Sequence, residues 1–125
     1  MSFDLYIWRE QYPITAEHAA KICQQLADGR DGVVEPDARV LDFRKELADR
    51  FPDLEGLSDH ELESSPWNMS PDATPSRVVL CMSWSSADEA LAFILGLADR
   101  HGLICFDPQG GEVDNPKTAY PWAKY

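Results

Sequence analysis

The feature that most constrains the fold is a strand, helix, strand pattern in the second half of the chain. Arg77–Trp84 is an apolar, β-prone run with little alternation, which is typical of a central strand covered on both faces. Ser86 and Glu89 have the spacing of a capping box for the following helix, and Gly102 suits a left-handed residue at its end. Leu103–Phe106 is a second apolar run. A strand, helix, strand unit over 77–106 places these two strands parallel with a right-handed crossover.

The rest of the chain adds four more elements. Alternation near the N-terminus predicts a first strand containing Phe3, Leu5 and Ile7. Apolar stripes at helical spacing predict one helix capped by Thr15 and a second with Pro36 in its first turn. A turn with two adjacent glycines predicts a hairpin to a short edge strand. The resulting order is β-α-α-β-α-β-β, an α/β fold with α+β as the alternative, in which a small mixed sheet of three or four strands carries three helices.

A chain of 125 residues has the size of one domain. We therefore expect a single domain over 1–125, with an acidic, proline-bearing loop at about 53–76 and a C-terminal tail at about 114–125. The N-terminus has no basic stretch before an apolar one, and the longest apolar run, Ala90–Ala98, is too short to span a bilayer. Three cysteines without a CxxC spacing indicate buried, reduced thiols. These features predict a cytoplasmic protein.

The charge of the chain is strongly negative: 22 Asp and Glu against 11 Lys and Arg give a formal net charge of −11. Such a charge repels nucleic acids and anionic lipids and attracts basic surfaces, so neither a nucleic acid nor a membrane is expected as a partner. The segment from Phe51 to Ser76 contains no Lys or Arg. Its acidic residues are Asp53, Glu55, Asp59, Glu61, Glu63 and Asp72. Pro66, Pro71 and Pro75 predict an irregular loop here, and such loops are usually functional or mobile.

Candidate catalytic and metal-binding residues are few. A cysteine nucleophile requires a neighbouring base, and Cys105 with His101 is the one pair close in sequence. A structural role is favoured for both, because Cys105 lies in a predicted buried strand. Asp59–Glu63 contains metal-ligand residue types, but it lacks the spacing of a calcium loop and a second His. With no glycine pattern for a phosphate either, we expect no cofactor, no metal and no enzymatic activity.

Aromatic residues occur in the acidic segment and in the tail. Buried packing is the ordinary role of a residue such as Trp67, but an aromatic ring flanked by carboxylates also fits an interface anchor with a charged rim. The tail carries Tyr120, Trp122 and Tyr125. It is predicted either to contribute to binding or to fold over a sheet edge, which would protect that edge from pairing with another chain.

Short motifs spread over nearly the whole chain resemble a group of small, mostly uncharacterised bacterial proteins that are common in actinobacteria. These motifs are the opening MSFDLYIW of Met1–Trp8, the SPW of Ser65–Trp67, the MSWS of Met82–Ser85 and the HGLICFDPQ of His101–Gln109. Proteins of this group resemble the chain in beginning with MSFDL-x-x-W. The resemblance assigns no active-site residues to this chain. The resemblance implies a bacterial cytoplasmic protein, and some similar small acidic proteins are candidate immunity partners of secreted toxins.

Three functions are compatible with these observations. The first is an immunity protein that occludes a cognate bacterial toxin, whose basic cleft would attract the acidic segment. The residues predicted to bind this toxin are Asp53, Glu55, Asp59, Glu61, Glu63 and Trp67. The second is a housekeeping or regulatory interaction module, with a homodimer through an exposed strand edge as one form. The third is a small enzyme using Cys105, His101 or His60.

Overall fold

The computed structural model describes residues 2–117, in which a five-stranded sheet carries four α-helices and one 3₁₀ turn. The strands are β1 (Ser2–Trp8), β2 (Trp67–Ala73), β3 (Arg77–Ser83), β4 (Ile104–Asp107) and β5 (Glu112–Asp114). The helices are α1 (Ala16–Ala27), α2 (Ala38–Arg50), α3 (Asp59–Ser64) and α4 (Trp84–Arg100), and the 3₁₀ turn is Leu54–Gly56. Within this described range, no helix is both long enough and apolar enough to cross a membrane.

The strands are arranged in the order β2-β3-β1-β4-β5, and every neighbouring pair is antiparallel. The predicted combination of helices and strands is confirmed, but the described residues form five strands and four helices, and the sheet is antiparallel rather than mixed. β3 and β4 run in the same direction because both pair with β1. They are not neighbours, since β1 lies between them. A strand, helix, strand pattern indicates the relative direction of its strands, but not whether a third strand separates them.

β1 is the central strand of the sheet, and both of its faces are covered. Its side chains Phe3, Leu5 and Ile7 belong to the larger core cluster, together with residues of α2 and α4. Trp8 is fully buried in a second cluster that includes Cys23 of α1. Helices therefore lie on both faces of the sheet. Full burial of one such side chain contributes roughly 1.5–3 kcal/mol to stability, so a strand buried on both faces contributes strongly.

The apolar stripes predicted for the first two helices are confirmed. The buried residues are Ala19, Ile22 and Cys23 in α1 and Val40, Phe43 and Leu47 in α2. Thr15 caps α1 as predicted, since its hydroxyl accepts from the backbone N–H of His18 at 3.1 Å. The prediction of Pro36 in the first turn of α2 is wrong, because Asp37 is the N-cap and accepts from the N–H of Arg39 at 2.8 Å. An Asp carboxylate satisfies a free helix donor, which a proline side chain cannot do.

Residues 53–76, predicted as a loop, contain the 3₁₀ turn, α3 and β2. The prolines do not prevent these elements, because each lies where no backbone donor is required. The carbonyl of Pro66 accepts a hydrogen bond from the last residue of β3 (2.9 Å), and that of Pro75 accepts one from the residue that caps α2 (3.1 Å). Pro71 lies inside β2, but β2 is an edge strand and its pairing with β3 is bulged.

The start of α4 also differs from the prediction. A capping box of Ser86 and Glu89 is wrong, because the helix begins at Trp84, directly after β3. Its N-cap is Ser83, whose side chain makes no capping hydrogen bond. The ring of Trp84 packs edge-on against Phe3, with 5.0 Å between ring centroids. This contact brings the first helical residue against β1 and favours the earlier start.

The predicted hairpin between β4 and β5 is confirmed, and the chain after it is tied to the rest of the fold. The side-chain amide of Asn115 donates to the carbonyl of Ile14 and accepts from its N–H, both at 3.0 Å. The N–H of Lys117 donates to the carboxylate of Asp99 at 2.6 Å. The remainder of the predicted tail lies outside the described residues, including Tyr120, Trp122 and Tyr125.

α4 ends at Arg100, and Gly102, two residues later, has a φ of +72° as the predicted left-handed residue. The N–H of Leu103 closes this end on the carbonyl of Ala98 at 2.9 Å. Arg9 of the segment after β1 donates to the carbonyl of Gly102 at 2.7 Å. The turn therefore both ends the helix and attaches it to the chain that leaves β1.

Replacing Gly102 by Ala is expected to lower the free energy of unfolding by about 1–2 kcal/mol, because a Cβ is strained at positive φ. Gly96→Ala is the matched control within α4. A Cβ at Gly96 meets nothing within 4 Å, and Ala in a helix interior is more stable than Gly by about 0.5–1 kcal/mol. Urea unfolding of both variants measures the two effects. Changes of the same sign would contradict the left-handed assignment.

Candidate partner-binding surface

α3 is a short helix whose N-terminus is closed by a capping box. The hydroxyl of Ser58 accepts from the backbone N–H of Glu61 at 3.3 Å, and the Glu61 carboxylate accepts from the backbone N–H of Ser58 at 3.1 Å. Hydrogen bonds from the Ser58 N–H, and then from its side chain, hold the pKa of Glu61 below its usual range. Glu61 is therefore an exposed, ionised carboxylate in a set position. The Ser-x-x-Glu spacing is the sequence signal for this helix, which the loop prediction overlooked.

Two side chains of β2, Trp67 and Ser70, attach the chain before α3 to this strand. The indole N–H of Trp67 donates to the carbonyl of Phe51 at 3.1 Å, and the two rings meet edge-on with centroids 6.0 Å apart. The hydroxyl of Ser70 accepts from the N–H of Leu54 at 3.0 Å and donates to the Glu55 carboxylate at 2.6 Å. The Ser70 hydrogen bond lowers the pKa of Glu55, with a smaller contribution from the Glu55 backbone N–H. The 3₁₀ turn is thus held against the edge of the sheet.

The six predicted binding residues differ in exposure and pairing. Asp53 forms an ion pair with Arg44 at 3.2 Å, so part of its charge is balanced. Asp59 and Glu63 are exposed, and neither side chain makes a hydrogen bond or an ion pair within residues 2–117. Trp67 is only 5% exposed and belongs to the core, which corresponds to packing rather than to an exposed anchor. The acidic residues on the 3₁₀ turn, at its N-cap and on α3 are here named the acidic surface: Asp53, Glu55, Asp59, Glu61 and Glu63.

A cavity of about 350 Å³ adjoins the acidic surface, and we name it the α3–α4 pocket. Its lining comes from the end of α2, from residues 51–66 and from Glu89 on α4. The guanidinium of Arg50 lies 4.4 Å from the ring centroid of Phe51 and 5.9 Å from that of Phe93. These are cation–π distances, which fix Arg50 beside the cavity. Sequence reasoning missed the pocket, because its lining comes from segments that are far apart in the sequence.

The cysteine and histidine considered for catalysis have separate partners. Cys105 is 3% exposed, and burial raises the pKa of its thiol far above the usual range, with further contributions from Asp114 and Asp107. His101 instead places its Nε2 atom 2.9 Å from a carboxylate oxygen of Glu46. Because its pKa is raised, the thiol of Cys105 is protonated near neutral pH, and a protonated thiol is a poor nucleophile.

The metal-ligand residue types on α3 do not converge on one point. Across residues 2–117, no group of three or more His, Cys, Asp and Glu side chains is arranged to hold a metal ion. Of the cysteines, Cys23 and Cys105 are buried as predicted, whereas Cys81 is partly exposed. The acidic side chains of α3 thus present separate charges to the surroundings.

Cys105 is expected to react with iodoacetamide at pH 8 at least about tenfold more slowly in the folded protein than in guanidinium chloride, because a raised pKa and burial both remove accessible thiolate. Mass spectrometry of the digested protein measures the labelling of each cysteine. Cys81, which is partly exposed, is the internal reference. Rapid labelling of Cys105 in the folded protein would mean that β4 does not bury this thiol.

The acidic surface and the α3–α4 pocket are the features from which a function can be argued. The resemblance to small actinobacterial proteins stays a prediction. No family model matches the chain, and no curated protein or solved structure is significantly similar to it.

Proposed function

We propose that this chain is an immunity protein, which neutralises a cognate bacterial toxin by covering a basic part of that toxin with the acidic surface. The observation that carries the proposal is that Asp59 and Glu63 are exposed on a capped helix and are not neutralised by any residue within 2–117. In this proposal the protein acts in the cytoplasm and binds another protein. It uses no cofactor, has no catalytic role and binds neither nucleic acid nor membranes.

Long-range attraction supports this assignment. The chain has a formal net charge of −11, and a field of this sign accelerates association with a basic protein. Screening shortens such attraction to roughly 8 Å at physiological ionic strength, so affinity falls as salt rises. The hydrogen bonds of Glu55 with Ser70 and of Glu61 with Ser58 restrict two of the carboxylates before binding. Side chains that are already ordered lose less conformational entropy in a complex.

An exposed leucine supplies an apolar contact among these charges. Leu62 lies between Glu61 and Glu63 on α3 and is 41% exposed. In the proposed interface Leu62 takes the place that the sequence prediction gave to Trp67. The ring of Trp67 is buried, and its hydrogen bond to the carbonyl of Phe51 supports the acidic surface. Leucine is a weaker anchor than an aromatic residue or arginine. Charge pairing therefore dominates the proposed interface.

The second candidate is a housekeeping or regulatory interaction module, including a homodimer. It is favoured by Met69, which is 56% exposed on the edge strand β2. Edge strands can pair with a second copy of the same chain. Against this, Pro71 and the bulged register interrupt β2 and disfavour continuous pairing. Light scattering across a wide concentration range tests the homodimer, since a monomer at every concentration would rule it out.

Charge reversal on α3 tests the proposed function. Tagged wild-type protein is expected to capture a basic toxin domain from a lysate of the source bacterium, and the affinity is expected to fall with salt. The double variant Asp59→Lys with Glu63→Lys is expected to bind the captured toxin at least about tenfold more weakly, a loss of about 1.4 kcal/mol. Titration by calorimetry at two salt concentrations measures both effects.

The matched control is Glu17→Lys with Asp31→Lys, which changes the net charge equally. Both residues are exposed; Glu17 is on α1, which packs on the opposite face of the sheet from α4, and Asp31 follows that helix. This control is expected to retain most of the affinity. An unchanged affinity in the α3 variant would remove the acidic surface from the interface. Recovery of the protein alone, or of a partner bound independently of salt, would favour the interaction module.

A further inference from the structure

We propose that the α3–α4 pocket receives one Lys or Arg side chain from a basic protein partner. This inference rests on the proposed function and deepens it, because it names the chemical group that the partner presents. The lining combines apolar side chains with two carboxylates. A long side chain with a cationic end requires that combination, since its methylene groups bury against apolar surface while its charge is paired.

The apolar part of the lining suits the stem of such a side chain. Phe51, Leu57, Pro66 and Ala90 contribute to it. The cavity measures about 350 Å³, near the small end of the range of roughly 300–1,000 Å³ found for ligand pockets. A single side chain fits this size better than a folded segment does. The pocket is therefore an insertion point within a larger protein interface.

The carboxylates of Glu61 and Glu89 supply the partners for a cationic end. The capping box with Ser58 sets the position of Glu61 at the N-terminal turn of α3. The side chain of Glu89 makes no hydrogen bond or ion pair with any residue in the described part of the chain, so its carboxylate can accept from a ligand. Hydrogen bonds from guanidinium or ammonium to a carboxylate are about twice as strong as neutral ones.

Arg50 does not convert the pocket into an anion site. Its guanidinium already lies over the rings of Phe51 and Phe93. One guanidinium stands against the two carboxylates of the lining, so its formal charge is negative when His60 is counted as neutral. The electrostatic balance at neutral pH therefore favours a cation.

The test uses the full-length protein labelled with ¹⁵N and three small probes. These are Nα-acetyl-arginine methylamide, its neutral isostere Nα-acetyl-citrulline methylamide, and Nα-acetyl-glutamate methylamide. The arginine probe is expected to shift the amide resonances of Leu57, Glu61 and Ala90 saturably, with a dissociation constant on the order of 1 mM. The citrulline probe is expected to bind at least about tenfold more weakly, because it lacks the charge.

Two pairs of variants complete the design. Glu61→Gln with Glu89→Gln removes both charges, and a glutamine at position 61 can still form the capping box, so α3 is retained. This variant is expected to lose at least about tenfold in affinity for the arginine probe. Glu17→Gln with Asp31→Asn makes the same change in net charge on the α1 side of the sheet and is expected to bind as the wild type does. Thermal melting of each variant verifies the fold.

Several results would overturn the pocket. These are an equal response to the citrulline probe, an unchanged response in the Glu61→Gln, Glu89→Gln variant, or shifts spread evenly over the acidic surface. A stronger response to the glutamate probe would replace it by an anion site at Arg50. The toxin experiment is separate: if charge reversal on α3 abolishes toxin binding while the probes do not bind, the proposed function stands and the pocket falls. If the arginine probe binds specifically but no toxin is captured from the lysate, the proposed pocket is supported and the proposed immunity function is rejected.

Discussion

The two-sided burial of β1 is the constraint on which the other elements depend. Leu5 and Ile7 pack into the cluster with α2 and α4, while Trp8 packs into the cluster with α1. Because β3 and β4 both pair with β1, their spacing fixes where α4, which connects them, can lie. α4 carries Glu89 and Ala90 on one side of the α3–α4 pocket. A surface feature near residue 60 is thus positioned by the first strand of the chain.

The residues proposed to bind and the residues that position them are different sets. Asp59 and Glu63 are exposed, whereas Trp67 and Ser70 hold the preceding chain against β2. A buried donor such as the Trp67 indole N–H costs about 1–3 kcal/mol when its partner is lost. The hydrogen bond from the Trp67 indole to the carbonyl of Phe51 is therefore a structural requirement of the acidic surface. Trp67, predicted to bind the partner, is buried and holds the chain before the acidic surface through its hydrogen bond to Phe51.

Local signals in the sequence predict most of the individual elements and little of their arrangement. Periodicity, apolar runs and caps are sufficient for β1, α1, β3 and the end of α4, since those signals come from neighbouring residues. β2 was not predicted, because its bulges break the alternation and because Pro71 argues against a strand. A proline is tolerated here since β2 is a bulged edge strand. The place of β1 between β3 and β4 depends on contacts far apart in sequence. The acidic residues are visible in the composition, but the pocket is lined by residues 50–66 together with Glu89 and Ala90 of α4, and no spacing of residues indicates that these segments meet.

The pairing of β1 has a consequence for synthesis of the chain. Ser2 pairs with Ser83, and Trp8 pairs with Ile104, so the first strand finds no partner in the sheet until most of the chain has been made. Contacts so distant in sequence slow folding. At roughly 5–20 residues per second, a ribosome requires several seconds to reach β3. During this interval the nascent chain presents an unpaired apolar strand to its surroundings. Transiently exposed apolar surface of this kind makes an incomplete chain prone to aggregation, and it is the kind of surface that chaperones cover.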